Sequence, residues 1–255
     1  MTEPNLLCDV DGEVGRLTLN RPTQGNAIDV ALADALMEAA VRLAEDPAVK
    51  VVTLTGNGRL FCAGGDIAAF AKGEPGAVIA RITVSLHAAI NRLATMPKPL
   101  ICLVNGPAAG AGLGLAMLGD IVLTASSAHF TSAYTAIGVS PDAGTSWLLP
   151  KLIGLRRAQD MILTNRRVGA EEAVAIGLVT RMVPDAALAT EGDKLAQSLI
   201  AGSTVAFATA RRLLHRSHCS SLANHLESEA AGIVAAARSD ITKTHFSAFN
   251  RKAPV

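Results

Sequence analysis

Aromatic side chains are scarce in this sequence: they make up 3% of its 255 residues, with a single tyrosine and a single tryptophan. Nor is there an excess of charge, the formal net charge being +1. A protein that grips nucleic acid needs a basic face for the phosphates and usually aromatic platforms for the bases, so no nucleic-acid partner is expected. Cysteine is sparse as well. Cys8, Cys62, Cys102 and Cys219 lie far apart without a CxxC pair, which argues against a disulfide framework and suits a reducing compartment. Met1-Thr2-Glu3-Pro4-Asn5 has no basic patch followed by an apolar run, so no signal peptide is read there and a cytoplasmic location is expected. Residues 99–119 carry no charge, and Gly106, Gly110 and Gly114 fall at the spacing of membrane-helix packing. Asn105-Gly106-Pro107 breaks that run, and a buried strand turning into a buried helix is expected instead, with no membrane partner.

What the chain has in quantity is apolar surface. Half of its residues are hydrophobic against 18% charged, enough for one well-buried domain with room for a helical appendage. Leu6-Leu7-Cys8, the Asp11-Gly12 turn and Leu17-Thr18-Leu19 read as a hairpin. Leu32, Leu36, Ala39 and Leu43 repeat at helical spacing behind Asp29, a candidate N-cap. The β-branched run at residues 49–54 predicts a strand. A second strand, turn and helix are expected between Leu100 and Met117, and further strands at residues 121–124 and 178–183. Helical patterns then run nearly to the end, with Ser221 and Asp240 as candidate caps. Strands first and helices last indicate an α/β core with a C-terminal helical arm.

Three glycine-bearing turns stand out: residues 58–67, residues 105–114 and residues 137–145. Glycine there permits unusual φ angles and close approach of another backbone or a ligand, and the N–H groups that open a helix favour negative charge. Two such turns face to face would supply the paired donors an oxyanion needs. Any one of them alone reads more simply as tight packing. A dinucleotide-binding loop is a poor fit, because the glycine after Gly110-Ala111-Gly112 comes one place too early for GxGxxG. No GxSxG elbow occurs around Ser140, which argues against a serine hydrolase. His215, His218, Cys219 and His225 could suggest a metal site, but among Arg211, Arg212 and Arg216 they read as a solvated basic face, and no metal is expected.

Taken in order, the segments Asn20-Arg21-Pro22, Asn26-Ala27-Ile28, Phe61-Cys62-Ala63-Gly64-Gly65-Asp66-Ile67, Val104 to Gly112, Gly138 to Gly144, Leu149 to Gly154, Glu171-Glu172-Ala173, Gly177-Leu178-Val179 and Ala248 to Lys252 resemble the crotonase (enoyl-CoA hydratase/isomerase) superfamily over nearly the whole chain. The resemblance implies an α/β fold, a crotonase-like spiral of ββα repeats, with residues 1–195 as the core and residues 196–255 as a C-terminal helical trimerisation arm. It implies an acyl-CoA substrate, no cofactor beyond the coenzyme A carried by that substrate, and a homotrimer or homohexamer. Carried across, the N–H groups of Ala63 and Ala111 look like the oxyanion hole of the thioester carbonyl. Arg21, Ala27, Gly64, Gly65, Asp66 and Ile67 look like the lining of the coenzyme end. Phe249, Arg251 and Lys252 would reach in from a neighbouring subunit, and Phe246 belongs to the same arm.

The reaction turns on carboxylates. Family hydratases carry two glutamates at the places of Gly114 and Tyr134, and neither is acidic here. Asp142, in Ser140-Pro141-Asp142, matches the lone carboxylate of the family's isomerases. Its bland reading is a turn or N-cap residue after proline. Tyr134 could lend its hydroxyl to the acyl pocket or merely fill it. The leading expectation is therefore an isomerase that moves an enoyl-CoA double bond from the 3 to the 2 position, or one that acts on epoxidised phenylacetyl-CoA. An enoyl-CoA hydratase, a non-catalytic acyl-CoA-binding protein and, more remotely, a dinucleotide reductase remain as alternatives.

Overall fold

The protein is described by a computed structural model covering residues 3–252, without the side chains of His245 and of residues 248–252. The chain opens with the expected hairpin, β1 (Leu6–Asp11) and β2 (Val14–Leu19), turned at Gly12 with φ +60°. Then follow α1 (Val30–Glu45), β3 (Val51–Gly56), the short α2 (Ile67–Phe70) and the long α3 (Pro75–Thr95). After these come β4 (Leu100–Val104), β5 (Ala108–Ala109), α4 (Ala111–Met117), β6 (Ile121–Ala125) and β7 (His129–Thr131). Next are α5 (Thr145–Ile153), α6 (Leu155–Thr164), β8 (Val168–Gly169), α7 (Ala170–Ala175) and β9 (Arg181–Val183). The chain finishes in α8 (Leu188–Ile200), α9 (Thr204–Arg216), α10 (Leu222–Ala237) and α11 (Asp240–Lys252).

Two sheets result. The larger runs β1-β2-β3-β4-β6-β9, parallel after the opening hairpin, and the smaller runs β5-β7-β8. Parallel strands covered on both faces must be apolar throughout, and β4 is buried at all of its residues. The same physics explains α1. Asp29 accepts the Leu32 N–H at 2.8 Å, as its cap position predicts, and Leu32, Leu36 and Leu43 are buried. Successive strand–turn–helix units advance along the large sheet, and the mixed α/β spiral expected of the chain is what is found. The strand expected at residues 178–183 shortens to β9, because the Thr180 hydroxyl and N–H turn toward Val122 instead of continuing a ladder. Ser221 caps α10 as expected, but Asp240 lies inside α11, and the Ser239 hydroxyl accepts the Thr242 N–H in its place.

What matters for the site is how the turns after β3 and β4 are brought together. Asn26, fully buried in a left-handed turn with φ +57°, donates its side-chain amide to the carbonyls of Asn57, Leu60 and Phe61. Asn105 holds the same segment from the other side, through the Gly58 carbonyl at 2.9 Å and the Gly56 N–H at 3.1 Å. Bridges Ile28–Gly65 and Cys62–Ala108 complete the frame.

Candidate active site

A cavity of about 370 Å³ opens where the two turns meet, lined by Gly64, Gly65, Gly110, Ala111, Tyr134 and Asp142, with Ile28, Ile67, Phe70, Ile82 and Leu86 supplying apolar walls. The turns touch. A Cβ placed on Gly64 would stand 2.9 Å from the Ala109 oxygen and 3.4 Å from the Gly110 Cα. Gly64 and Gly110 both have positive φ, +101° and +54°, a conformation ordinary side chains resist. Each glycine turns the chain just before a residue whose N–H has no acceptor among the described residues: Gly65 in one turn, Ala111 in the other. Ala111 owes this to its place as the first residue of α4, where no intrahelical acceptor exists.

Ala63 is a different case. Its N–H donates to the Gly25 carbonyl at 2.9 Å, so that hydrogen is already committed inside the protein and is not on offer to a ligand, contrary to the expectation from the sequence. Ala63 and Ile67 still line the cavity. Arg21 and Asp66 do not line it. The Arg21 guanidinium bonds to Asp66 at 2.9 Å and to Asp29 at 3.1 Å and donates to the Ala27 carbonyl, with 13% of its side chain exposed. These charges are spent on one another and brace the loop rather than facing a phosphate. Burial alone would raise the Asp66 pKa. The Ala69 N–H at its cap position and the Arg21 charge more than offset this, and the carboxylate is held below its ordinary range.

Asp142 lies in the cavity wall, and its side chain caps no helix. The N-cap place of α5 belongs to Gly144, and it is the Asp142 backbone carbonyl that accepts the Thr145 N–H. The Tyr134 hydroxyl donates to Asp142 Oδ1 at 2.7 Å, and Thr145 Oγ1 lies 3.4 Å from the same hydroxyl. Burial and the neighbouring carboxylate push the Tyr134 pKa up, so the phenol stays protonated and keeps donating. Oδ2 of Asp142 has no protein partner among the described residues, which leaves one carboxylate oxygen available at the cavity. The role of Tyr134 was thus only half legible: the sequence put it at the pocket, but not on the carboxylate.

Gly114 closes the question of a second carboxylate nearby. A Cβ there would fall 2.5 Å from the Ala143 oxygen and 2.9 Å from the Ala143 Cβ, well inside contact distance. The helix carrying Gly114 and the turn carrying Asp142 pack backbone to backbone. No glutamate could stand at this position without moving one of them. Cys62, beneath the donor turn, is wholly buried, and burial pushes its thiol up to about 12. It is no nucleophile at neutral pH.

The remaining candidates disperse. His215 and His218 line a second groove, of about 680 Å³, between α3, α5 and α9, together with Trp147 and Lys151. His225 faces Glu229 at 3.5 Å, and no cluster of three metal-ligating side chains occurs among the described residues. The side chains of Phe249, Arg251 and Lys252 lie outside the described residues. Among the described residues no helix is long and apolar enough to cross a membrane.

Residues 9–254 match the family described as Enoyl-CoA hydratase/isomerase. The chain belongs to that family. It is 35% identical over 228 residues to 1,2-epoxyphenylacetyl-CoA isomerase of Escherichia coli K12, covering 88% of this chain and 87% of that one. It is 32% identical to 4-chlorobenzoyl coenzyme A dehalogenase-2 of an Arthrobacter species, over 87% of this chain and 82% of the relative. The crystal structure of enoyl-CoA hydratase from Bacillus anthracis superposes with a TM-score of 0.92 at 28% identity, covering 97% and 96% of the two chains. Relatives named for an isomerase, a dehalogenase and a hydratase share this fold. The family therefore supports an acyl-CoA isomerase or hydratase class of activity, and the reaction must be read from the side chains in the cavity.

Proposed function

We propose that the protein isomerises acyl-CoA thioesters, shifting an enoyl-CoA double bond from the 3 to the 2 position, with Asp142 as the proton shuttle. The observation that carries this reading is the lone carboxylate of the cavity wall among the described residues, held at one oxygen and without a protein partner at the other, in the same cavity as two backbone N–H groups that have no acceptor among those residues. The free oxygen of Asp142 takes a proton from C2 of the acyl chain. The electron pair moves into the thioester carbonyl, and the N–H groups of Gly65 and Ala111 receive the oxyanion. Each such donor is worth about 3–4 kcal/mol at the transition state. The same carboxylate returns the proton at C4, and atoms and charge balance with no added reactant. No cofactor is asked for beyond the coenzyme A of the substrate. Assigning Gly65 in place of Ala63 follows from the Ala63–Gly25 hydrogen bond.

The apolar walls suit a hydrocarbon or aromatic acyl group, and the likeness to the epoxyphenylacetyl-CoA isomerase makes epoxidised phenylacetyl-CoA the second substrate to try. Hydration needs a group to hold and activate water. Gly114 has no space for one and Tyr134 is occupied with Asp142, which weighs against the hydratase alternative. Assays of 3-enoyl-CoA, 2-enoyl-CoA and epoxidised phenylacetyl-CoA side by side test the proposal. Isomerisation of the first or third, with poor hydration of the second, is expected. Efficient hydration that survives Asp142→Asn would overturn it.

A further inference from the structure

Asp142 sits at the start of an awkward turn. Ala143 and Gly144 follow it with φ +50° and +75°, two left-handed residues in succession, the first of which has a side chain that disfavours that region. Ala143 is 1% exposed, and its carbonyl and methyl groups press on Gly114. Among the described residues its N–H finds a single acceptor, Nε2 of His87, at 3.3 Å. His87 comes from the middle of α3, between Ser85 and Leu86 on one side and Ile90 on the other, all buried. The helix under it is therefore firmly seated, while the imidazole itself is exposed and opens onto the second groove, not onto the acyl cavity.

We propose that His87 is a positioning residue for Asp142: as a neutral imidazole accepting at Nε2, it ties the Ala143 amide to α3 and fixes the turn from which the carboxylate projects. The inference rests on the reading of Asp142 as the proton shuttle. Tyr134 and His87 divide the task, the phenol orienting the carboxylate from the cavity side and the imidazole holding the backbone from behind. Acceptance at Nε2 requires the ring proton to be on Nδ1. Among the described residues the Ala143 amide is the one hydrogen-bond partner of the His87 ring.

The test compares His87→Leu with His87→Gln. The glutamine side-chain oxygen reaches about as far as Nε2 and can accept the same N–H, whereas leucine cannot. Because the ring is exposed, neither change opens a hole in the core. For His87→Leu, kcat with 3-enoyl-CoA should fall about five- to tenfold at unchanged KM, the scale of one ordinary hydrogen bond, and His87→Gln should recover most of it. Hydrogen exchange at the Ala143 amide should be slow in the wild type and in His87→Gln and faster in His87→Leu. Wild-type kcat and unchanged Ala143 exchange in His87→Leu would overturn the proposal, as would a glutamine variant no better than the leucine one. Asp142→Asn, run in parallel, separates the two claims. Full turnover by that variant would fell the reading of Asp142 alone, and the amide exchange would still decide whether His87 holds the turn.

Discussion

The strands and turns of the two sheets bury their largest apolar side chains, whereas the last three helices leave most of theirs exposed. Leu17, Leu54, Phe61 and Phe130 are 0% exposed, whereas Leu214, Leu222 and Ile233 are 70% or more exposed and Phe246 is 62% exposed. Helices α9 and α10 cross closely enough that a Cβ on Gly232 would meet Thr209 at 2.5 Å, yet each buries a single residue. One of these is Arg211, which reaches Asp120 at 2.7 Å and donates to the carbonyls of Leu93 and Met96. The arm is thus tied to the core chiefly by a polar anchor, and its apolar face lies open. A face of that kind calls for another surface. We propose that it serves self-association, as the homotrimer or homohexamer expected from the sequence would require. On this proposal, chemistry would fall to the core and assembly to the arm.

That division can be broken at several points. The largest effect should come from Asp142→Asn, which keeps the shape and the Tyr134 contact but cannot take the C2 proton. Isomerisation should fall by about 10²–10⁴-fold while acyl-CoA still binds, and solvent deuterium should cease to enter C2. Ala111→Pro removes one free N–H at a helix position that accepts proline, and turnover should drop about 10²–10³-fold. Both losses should leave the assembly seen by light scattering unchanged. Arg211→Ala should do the reverse. It strands two carbonyls and takes the charge partner from Asp120, which keeps the Leu100 N–H and is partly open to solvent, so a cost of about 2–3 kcal/mol is expected, below the full range for a buried pair. Thermal unfolding should shift, with the mass distribution by light scattering disturbed more than kcat. An unchanged assembly with lost catalysis would invert the division drawn above.

Tyr134→Phe sharpens the core side. Losing a hydrogen bond to a charged group costs about 1.5–3 kcal/mol, and here it should appear in kcat with KM little altered. The smallest signal is chemical. Cys62 stays a thiol at neutral pH because burial holds it up at about 12, while Cys219 is exposed. Alkylation at pH 8 should modify Cys219 rapidly and Cys62 only on global unfolding. Protection of Cys219 that disappears on dilution would report the arm docking on another copy. Fast labelling of native Cys62 would contradict the closed core beneath the donor turn.

Much of this was legible in the order of residues. The Asp29 cap, the apolar period of α1 and the Asp11-Gly12 hairpin are local matters, decided by neighbours a few residues apart. The family resemblance picked out the two turns and Asp142. What it misassigned was Ala63, because which of several consecutive N–H groups points into a cavity depends on the φ of Gly64 and on a hydrogen bond to Gly25, 38 residues earlier by number. Arg21, expected in the lining of the coenzyme end, is a similar case: a guanidinium gives no sign in sequence of the two carboxylates that will occupy it.

By itself, then, the sequence determined the opening hairpin, α1, the strands β3, β4 and β6, the helical C-terminal stretch, the family and the absence of carboxylates at positions 114 and 134, since composition and periodicity act locally and side-chain identity needs no fold. Only tertiary structure decided which backbone donors are free, that Tyr134 rests on Asp142, that Gly114 has no room for a side chain, and that His87 stands behind the Asp142 turn. Each of these joins residues from different elements, and a hydrogen bond or a steric contact exists only once packing has brought both partners within a few ångströms.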